Sequence, residues 1–319
     1  MVKNSKLHTT VIYKRRIGFK SALSYISKKK YLYLLLLPCL VYFIIFHYIP
    51  MYGIILAFKD FSFAKGILGS EWVAFDNFIY MFGLSDFYRV FFNSLYINIL
   101  KMLFFFPFPI ILSLCLNEIG SKVFKKTTQT LIYLPYFISW VVIGGIMVNF
   151  LSPSWGVVNT VIKSMGMEPI FFMGNDEYFR SLVVLTEIWK GAGWDTILYL
   201  ATISSINPEI YESAIIDGAN RLQRIAYITI PHIKNIIIIL ALLRIGHIMH
   251  NGFEQIFVLQ NLSNLNVSEV FETYTYKIGI LTGRFSLGTT VGLFTSVIGM
   301  VLLVISDRLA KVAGEKGLF

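Results

Sequence analysis

Few side chains in this 319-residue sequence have the types and spacing that catalysis or metal binding requires. His247 and His250 would be neighbours on a helix, but no third ligand at a suitable spacing and no H-E-x-x-H motif accompanies them. Asp86, Asp176 and Glu177 are scattered in loops, without the clustering that a catalytic site needs. The histidine pair is therefore interpreted as packing or cavity lining, and the sequence predicts no catalytic, metal or cofactor site.

The sequence also contains no motif for nucleotide binding or for reactive thiols. The motif G-x-x-x-x-G-K-[ST] does not occur, so the chain supplies no P-loop for ATP. Cys39 and Cys115 lie far apart in apolar stretches, with no C-x-x-C or Cys/His spacing beside them. We expect both thiols to be buried and unreactive.

The composition is typical of a polytopic membrane protein, with 56% hydrophobic and 14% charged residues. A helix needs roughly 20 mainly apolar residues to cross a bilayer. Six stretches predict an all-α protein with six spans, at about residues 31–58, 92–116, 130–150, 181–204, 234–252 and 287–306. Lipid would reject the charged residues in these spans unless they face a cavity, a partner helix or the interface. These residues are Lys101, Glu187, Lys190, Asp195 and Arg244.

The distribution of basic residues predicts the orientation. With the N-terminus inside, the cytoplasmic segments contain 18 Lys or Arg residues and the external loops contain seven. Cytoplasmic loops of membrane proteins carry an excess of Lys and Arg. The chain is therefore predicted to be a multi-pass protein of the cell membrane with both termini in the cytoplasm.

The net charge of +10 comes almost entirely from the N-terminal tail. Residues 1–30 contain nine Lys or Arg and no acidic residue, which favours a cytoplasmic segment beside anionic lipid over a nucleic-acid-binding arm. The apolar stretch 31–58 is longer than a signal-peptide core and lacks a small-residue cleavage site, so we expect it to be retained. The predicted organisation is a basic tail, residues 1–30, and one transmembrane domain, residues 31–319.

The polar segment 207–231, between the fourth and fifth predicted spans, has the signals of two short helices. Asn207 is a good N-cap for the first helix, and Gly218 can end it in a left-handed conformation. A second helix is expected from about Asn220 to the residues just before Pro231, which opens the next span. On local pattern alone, an amphipathic helix lying on the membrane would explain this segment equally well.

The same segment carries a family resemblance. Glu212-Ser213-Ala214, three residues, Gly218, nine residues and Ile228-x-Ile230-Pro231 resemble the E-A-A-x3-G-x9-I-x-L-P loop of ABC importer permeases, with Ser213 and Ile230 as departures. The continuation Asp217-Gly218-Ala219 is similar to the carbohydrate uptake type-1 group. LPYFISWVV (134–142), GWDTILYLATISSINPEIYESAIIDGA and FEQIFVL (253–259) resemble the branch that imports complex oligosaccharides and polysaccharide fragments.

The resemblance implies the type I importer permease architecture and a half-transporter. The implied partners are a second permease subunit, expected to be a different chain, two ATPase subunits that bind ATP and Mg, and an extracellular solute-binding protein. The first helix of the segment would be a coupling helix in an ATPase groove, and this chain would bind no cofactor. The coupling residues expected are Tyr211, Glu212, Ser213, Ala214, Asp217, Gly218, Ala219 and Pro231.

Residues that could line a substrate cavity follow this loop. In maltose-type relatives, polar residues of the next span line the cavity, and here that region reads HIMHNGFEQIF, residues 247–257. Bonding between helices or an interfacial aromatic belt is the alternative for each of them. The candidates for sugar contact are Asn149, Trp189, Trp194, Tyr199, His250, Asn251, Phe253, Glu254 and Gln255.

Two other classes of membrane protein are alternatives to an importer permease. A polytopic enzyme, such as a lipid-linked glycosyl transferase, needs clustered acidic residues or histidines at a membrane face. A secondary carrier for glycans would have two related halves and no coupling loop, whereas the halves here look unrelated. The sequence therefore predicts a permease subunit of an ATP-driven oligosaccharide importer, with these two classes as the alternatives.

Overall fold

The computed structural model describes residues 29–315 and 317–318, and these residues form helices with short connections. The predicted basic tail, residues 1–30, lies outside the described residues except for Lys29 and Lys30. The described strands are one short antiparallel pair, Lys59–Asp60 with Glu71–Trp72. The predicted all-α class is confirmed.

The helices are named α1 to α14 in chain order. Their bounds are α1 Lys30–Phe58, α2 Gly66–Gly69, α3 Asp76–Phe82, α4 Ser85–Asn117, α5 Lys122–Phe137, α6 Trp140–Leu151, α7 Val157–Ser164, α8 Asp176–Ser204, α9 Pro208–Ile216, α10 Arg221–Gly246, α11 Phe253–Leu259, α12 Leu265–Ser268, α13 Phe271–Thr275 and α14 Phe285–Val312. A 3₁₀ turn, Leu262–Asn264, precedes α12, and a π-helical segment, Tyr276–Leu281, continues α13.

Among the described residues, four helices are long and apolar enough to cross a membrane, namely α1, α4, α10 and α14. The pair α5 and α6 makes a fifth if it counts as one broken span. The remaining predicted span, 181–204, lies within α8, which is 29 residues long but carries charged residues along its middle. The predicted end of the fifth span at residue 252 was wrong, because α10 ends at Gly246 and residues 247–252 are not helical.

The third predicted span, 130–150, is broken rather than continuous. Helices α5 and α6 meet at a bend of 96°. Ile138 and Ser139 are extended between them, and the Ser139 hydroxyl accepts a hydrogen bond from Val142 N as the N-cap of α6. Pro135 lies just before the break and has no amide hydrogen for a helical ladder. The chain therefore ends one helix and starts another inside a stretch that composition alone reads as one span.

Three prolines lie inside long helices, and each follows a π-helical turn. π-helical turns at Ile44–Tyr48, Lys101–Phe105 and Ile225–Thr229 each end two residues before a proline, Pro50, Pro107 or Pro231. A proline cannot make the usual bond to the carbonyl four residues earlier, and its ring clashes with that carbonyl. The wider π turn relieves this conflict, so the helix continues through the proline.

The chain forms two compact units, residues up to Ile54 and residues from Ile55 onward. Within the first unit, described from residue 29, no side chain is buried. The second unit contains the core, where close helix crossings depend on glycine. A Cβ on Gly144 would overlap the Val258 side chain, and one on Gly299 would overlap the Gly246 carbonyl oxygen. Small residues allow such backbone approach between membrane helices.

The expectation of buried thiols was wrong. Cys39 and Cys115 are both exposed. Lipid tails are as apolar as a protein core, so an apolar stretch of a membrane helix can direct a small side chain outward as well as inward.

Candidate functional site

The segment after α8 folds into the capped helix that the sequence predicts. The Asn207 side chain accepts a hydrogen bond from Glu209 N at 3.1 Å, which caps α9. Gly218 has φ +80°, and its amide donates to Ile215 O at 3.0 Å. The next amide, Ala219 N, donates to Ala214 O at 2.8 Å. This pair of bonds is a Schellman motif, which stops the helix and fixes the direction of the chain that follows.

One surface of α9 is exposed, and part of it is apolar. Ile215 is 55% exposed and Ile216 is 86% exposed. Glu212, Ser213, Asp217 and Gly218, all predicted coupling residues, are exposed beside them. A shallow concavity of about 360 Å³ opens next to this surface and is lined by Ala214, Asp217, Gly218, Ala219, Gln223, Arg224, Tyr227 and Ile228.

Tyr211, one turn before Ile215, packs against the protein. Its ring packs on a small core of Ile203, Ile206 and Ile233. Its hydroxyl is 2.9 Å from the hydroxyl of Thr229, which is only 1% exposed. Tyr211 therefore joins α9 to the first part of α10 by both packing and a hydrogen bond.

The second predicted helix of the loop does not end before Pro231. Asn220 caps it through a reciprocal capping box with Gln223, as its predicted start requires. From Arg221 the helix runs through the π turn and Pro231 without a break to Gly246. The prediction that Pro231 opens a separate span was wrong, because the π turn accommodates the proline inside one helix.

A cavity of about 420 Å³ lies between α4, α8 and α10. The carboxylate of Glu187 joins these helices, because it is 2.8 Å from Lys101 Nζ and 3.3 Å from Arg244 Nη2. The Arg244 guanidinium also lies 4.4 Å from the centre of the Phe105 ring. The cavity is lined by Asn98, Lys101, Phe105, Phe106, Pro109, Glu187, Asp195, Leu198, Tyr199, Leu240, Leu243, Arg244, His247, His250 and Asn251.

The non-helical segment 247–252 forms one wall of this cavity, and the polar side chains of Lys101 and Asn98 hold it in place. Lys101, 2% exposed, donates to Asn251 O at 2.7 Å and to Gln255 Oε1 at 2.8 Å. Asn98 Nδ2 donates to Ile248 O at 2.8 Å. Irregular backbone at membrane depth is tolerated where protein groups satisfy it or where it lines a cavity, and both conditions hold here.

Asn251 leaves one polar atom without a partner. Its amide nitrogen donates to Ser94 O at 2.9 Å, and its backbone N donates to Glu272 Oε2 at 2.8 Å. Its side-chain oxygen is buried and has no hydrogen-bond partner among the described residues. Because the contact with Ser94 fixes the amide orientation, this oxygen remains an unpaired acceptor inside the protein, beside the cavity wall.

A second cavity of about 300 Å³ shares Phe105, Glu187, Asp195 and Arg244 with the first. Its other lining residues are Tyr136, Trp140, Lys190, Gly191 and Gln255. Gln255 is buried and also donates to Val183 O at 2.7 Å and to Thr186 Oγ1 at 3.0 Å. The two cavities together present cations, carboxylates, amides and aromatic rings, which suits binding of a polar, hydroxyl-rich ligand.

The structure brings only part of the predicted sugar-contact set to these cavities. Tyr199, His250 and Asn251 line the first cavity, and Gln255 lines the second. Phe253 lines a separate, mainly apolar cavity of about 600 Å³ together with His250.

The other candidates lie elsewhere in the described chain. Trp189 and Glu254 are exposed. Trp194 stacks on Tyr136, with the ring centres 4.4 Å apart. Asn149 is exposed and accepts a hydrogen bond from Trp155 Nε1 at 3.4 Å. Among the described residues, no group of three or more His, Cys, Asp or Glu side chains could hold a metal ion.

Sequence reasoning missed several cavity residues. Asn98, in an apolar stretch of α4, could have been found by the rule that polar residues within spans are functional candidates. Phe105 and Tyr136 carried no such signal, because aromatic residues are common throughout this chain.

Comparison with known proteins agrees with this geometry. Residues 105–315 match the family described as binding-protein-dependent transport system inner membrane component. The polygalacturonan/rhamnogalacturonan transport system permease protein YteP of Bacillus subtilis (strain 168) is 44% identical over 94% of this chain and 94% of its own. Protein LplB of the same organism is 44% identical over 92% of each chain.

Two solved structures are also similar. A bacterial ABC transporter involved in the import of the acidic polysaccharide alginate has a TM-score of 0.84 and 40% identity, covering 91% of this chain and 98% of that one. A bacterial alginate ABC transporter in complex with an alginate pentasaccharide-bound periplasmic protein has a TM-score of 0.84 and 39% identity, covering 92% and 99%. The chain thus has the type I permease architecture. It belongs to the family of binding-protein-dependent transport system inner membrane components, and it is a multi-pass permease subunit of an ABC transporter and not an enzyme.

Proposed function

We propose that this chain is one permease subunit of an importer that moves an oligosaccharide or polysaccharide fragment, delivered by an extracellular solute-binding protein, into the cell. A second permease subunit, which is a different polypeptide chain, completes the translocation path. Two ATPase subunits bind ATP and Mg. Support comes from relatives named for polygalacturonan, rhamnogalacturonan and alginate. This chain binds no cofactor in the proposal.

The observation that carries the proposal is the exposed, rigidly capped helix α9. Its apolar residues Ile215 and Ile216 are uncovered within the described chain, although its ends are fixed by Asn207 and Gly218. An ordered helix with exposed apolar side chains suits a groove on a partner protein. In this proposal the partner is the ATPase, and the coupling residues are Glu212, Ser213, Ala214, Asp217, Gly218 and Ala219.

The orientation in the membrane follows from the same assignment. Binding to a cytoplasmic ATPase requires α9 to face the cytoplasm. Four predicted spans precede segment 207–231 and two follow it, so both termini are then in the cytoplasm as well. The excess of Lys and Arg in these segments, 18 against seven, supports that orientation.

The two cavities that share Glu187 and Arg244 are the proposed binding surface for the saccharide. Asn251, Tyr199 and His250 lie in the wall of the first cavity and Gln255 lies in the wall of the second, where they would border a bound saccharide. Arg244 and Glu187 offer charged partners where the two cavities meet. Trp189, Trp194, Asn149 and Glu254 contribute less to this surface, because the described cavities do not include them.

In this proposal, a movement of α9 is transmitted to the cavity through α10, which is packed and hydrogen-bonded to α9. Tyr211 fastens α9 to Thr229, and α10 continues from there to Arg244 at the cavity wall. When nucleotide closes the ATPases, a displacement of α9 moves α10 as a rigid rod and changes access to the cavity.

The experiment reconstitutes the chain in proteoliposomes with its sibling permease and ATPase. The probes are labelled oligogalacturonides and alginate oligosaccharides, loaded on the cognate binding protein. We expect ATP-dependent uptake and saccharide-stimulated ATPase activity for the wild type, and loss of both for Glu212→Lys with normal membrane insertion. The control Glu168→Lys makes the same charge change at an exposed residue of the predicted external loop. Normal uptake by Glu212→Lys would remove the coupling assignment, and ATP-independent uptake by the wild type would favour a secondary carrier.

A further inference from the structure

The break between α5 and α6 rests on one face of α8. Lys190 Nζ donates to Tyr136 O at 2.7 Å and also to Ile138 O. A Cβ on Gly193 would overlap the carbonyl oxygen of Ile132, so the two backbones touch one helical turn further along α8. Lys190 therefore lies where the ladder of α5 ends.

The ammonium of Lys190 suits this position for two reasons. The last carbonyls of a helix lack intrahelical partners, and a cation near them also interacts favourably with the helix dipole. At membrane depth, water cannot satisfy carbonyls freed by a bend, so protein groups must do so. Lys190 Nζ also lies 5.5 Å from the Tyr136 ring centre and 5.4 Å from that of Trp140, on the two sides of the break.

Aromatic packing on the neighbouring turn fixes the same segment. The rings of Trp194 and Tyr136 are nearly parallel, with an angle of 5° between their planes. Phe137 packs edge-on against Trp194, with the ring centres 5.8 Å apart. Trp194 is therefore occupied by protein contacts, and the break is held by α8 from two successive turns.

We propose that Lys190 is a positioning residue for transport, which holds the 96° bend and so keeps Tyr136 and Trp140 in the wall of the smaller cavity. This inference takes from the proposed function only the assumption that the cavity binds a transported saccharide. If the two hydrogen bonds are lost, the bend opens toward a continuous span and the two rings move away from Arg244 and Gln255.

The opening can be measured as a distance between spin labels. Residues 123 and 148 lie on either side of the break and are exposed, Val123 by 78% and Val148 by 49%. At 1.5 Å rise per residue, labels at these positions are about 25 Å apart across the bend and about 37 Å apart along a straight helix. The native cysteines Cys39 and Cys115 are replaced first, because both are exposed.

The experiment compares Lys190→Met, Lys190→Arg and the matched control Lys163→Met in the assembled transporter. Lys163 Nζ also donates to a backbone carbonyl, Pro153 O at 2.8 Å, but away from the break. We expect the wild type, Lys190→Arg and Lys163→Met to keep the short distance, since arginine can also donate to two carbonyls. Lys190→Met is expected to shift toward the long distance and to lower uptake about tenfold, the factor that one charged hydrogen bond implies.

A short distance in Lys190→Met overturns the proposal, whatever happens to uptake. A long distance with wild-type uptake also overturns it, because the bend would then not matter for transport. If Lys190→Met does not assemble, Lys190→Gln, which keeps one donor group, is measured in its place and should give a mixture of both distances. The distance does not depend on which saccharide is carried, so failure of the proposed function remains distinguishable from failure of this inference.

Discussion

Replacing Gly218 by valine tests whether the end of α9 must keep its left-handed turn. Gly218 has φ +80°, a conformation that β-branched residues strongly disfavour. No heavy atom lies within 4 Å of the position that a Cβ would occupy. Within this chain, the substitution therefore acts through backbone strain and not through a steric clash.

The size of the effect follows from that strain. A left-handed conformation costs an L-residue roughly 1–2 kcal/mol. If the strain shifts α9 out of the geometry that fits the ATPase, coupling weakens by about 5- to 30-fold, because every 1.4 kcal/mol is a factor of ten. Asparagine tolerates the left-handed region, so Gly218→Asn should lose much less.

Gly314 provides a matched control at the end of α14. It has φ +81°, open space at the Cβ position, and an amide that donates to Lys311 O at 3.0 Å, the same pattern as Gly218 N with Ile215 O. Gly314→Val therefore imposes the same strain on a helix end outside the coupling loop. The assay measures saccharide-stimulated ATPase activity and uptake by each reconstituted variant, together with its thermal midpoint.

We expect Gly218→Val to lose stimulation and uptake while Gly314→Val keeps both, with similar small decreases in thermal midpoint. Equal activities of the two variants would refute the reasoning, because the turn at Gly218 would then have no role beyond stability. A loss in Gly218→Asn as large as that in Gly218→Val would instead show that any side chain collides with the partner groove.

Two further predictions concern contacts inside the chain. Tyr211→Phe removes the hydrogen bond to Thr229, worth about 0.5–1.5 kcal/mol, and should reduce uptake per ATP hydrolysed, whereas Tyr227→Phe, at a residue 80% exposed, should not. Glu187→Gln removes the carboxylate shared by Lys101 and Arg244. Lys101 is buried, with 3% of its side chain exposed, whereas Glu187 is 21% exposed. Loss of the carboxylate leaves a buried ammonium without its counter-charge, so the thermal midpoint should fall, and an unchanged midpoint would contradict the assigned network.

Local signals in the sequence predicted the structure of segment 207–220 well. The cap at Asn207, the stop at Gly218 and the start at Asn220 each depend on a few neighbouring residues, and all three are present. Local signals did not predict that the helix continues through Pro231. Proline alone indicates a helix start, and the π turn that lets the helix continue has no simple residue signature.

The cavity was predictable only in outline. Charged residues within apolar stretches indicated that Lys101, Glu187 and Arg244 face something other than lipid, and they meet at one point. Which aromatic residues join them depends on the bend between α5 and α6. Local signals at Pro135 and Ser139 permit that bend, but its contact with α8 joins residues 52 or more positions apart, such as Lys190 with Ile138, which no local pattern encodes.

Helix α10 contacts both α9 and the charged junction of Lys101, Glu187 and Arg244, and so links the proposed coupling helix to the cavity. Its first turns are fixed to α9 through Thr229, and its last turn carries Arg244, which shares Glu187 with Lys101 of α4. A rotation of α10 that follows α9 changes the distance between Arg244 and Glu187, whereas the contact between Lys101 and Glu187 joins α4 to α8 and does not involve α10. In the proposed importer, a saccharide that offers Arg244 an oxygen in place of Glu187 would lower the cost of that rotation, and this would give a physical reason for ATP hydrolysis to respond to bound substrate.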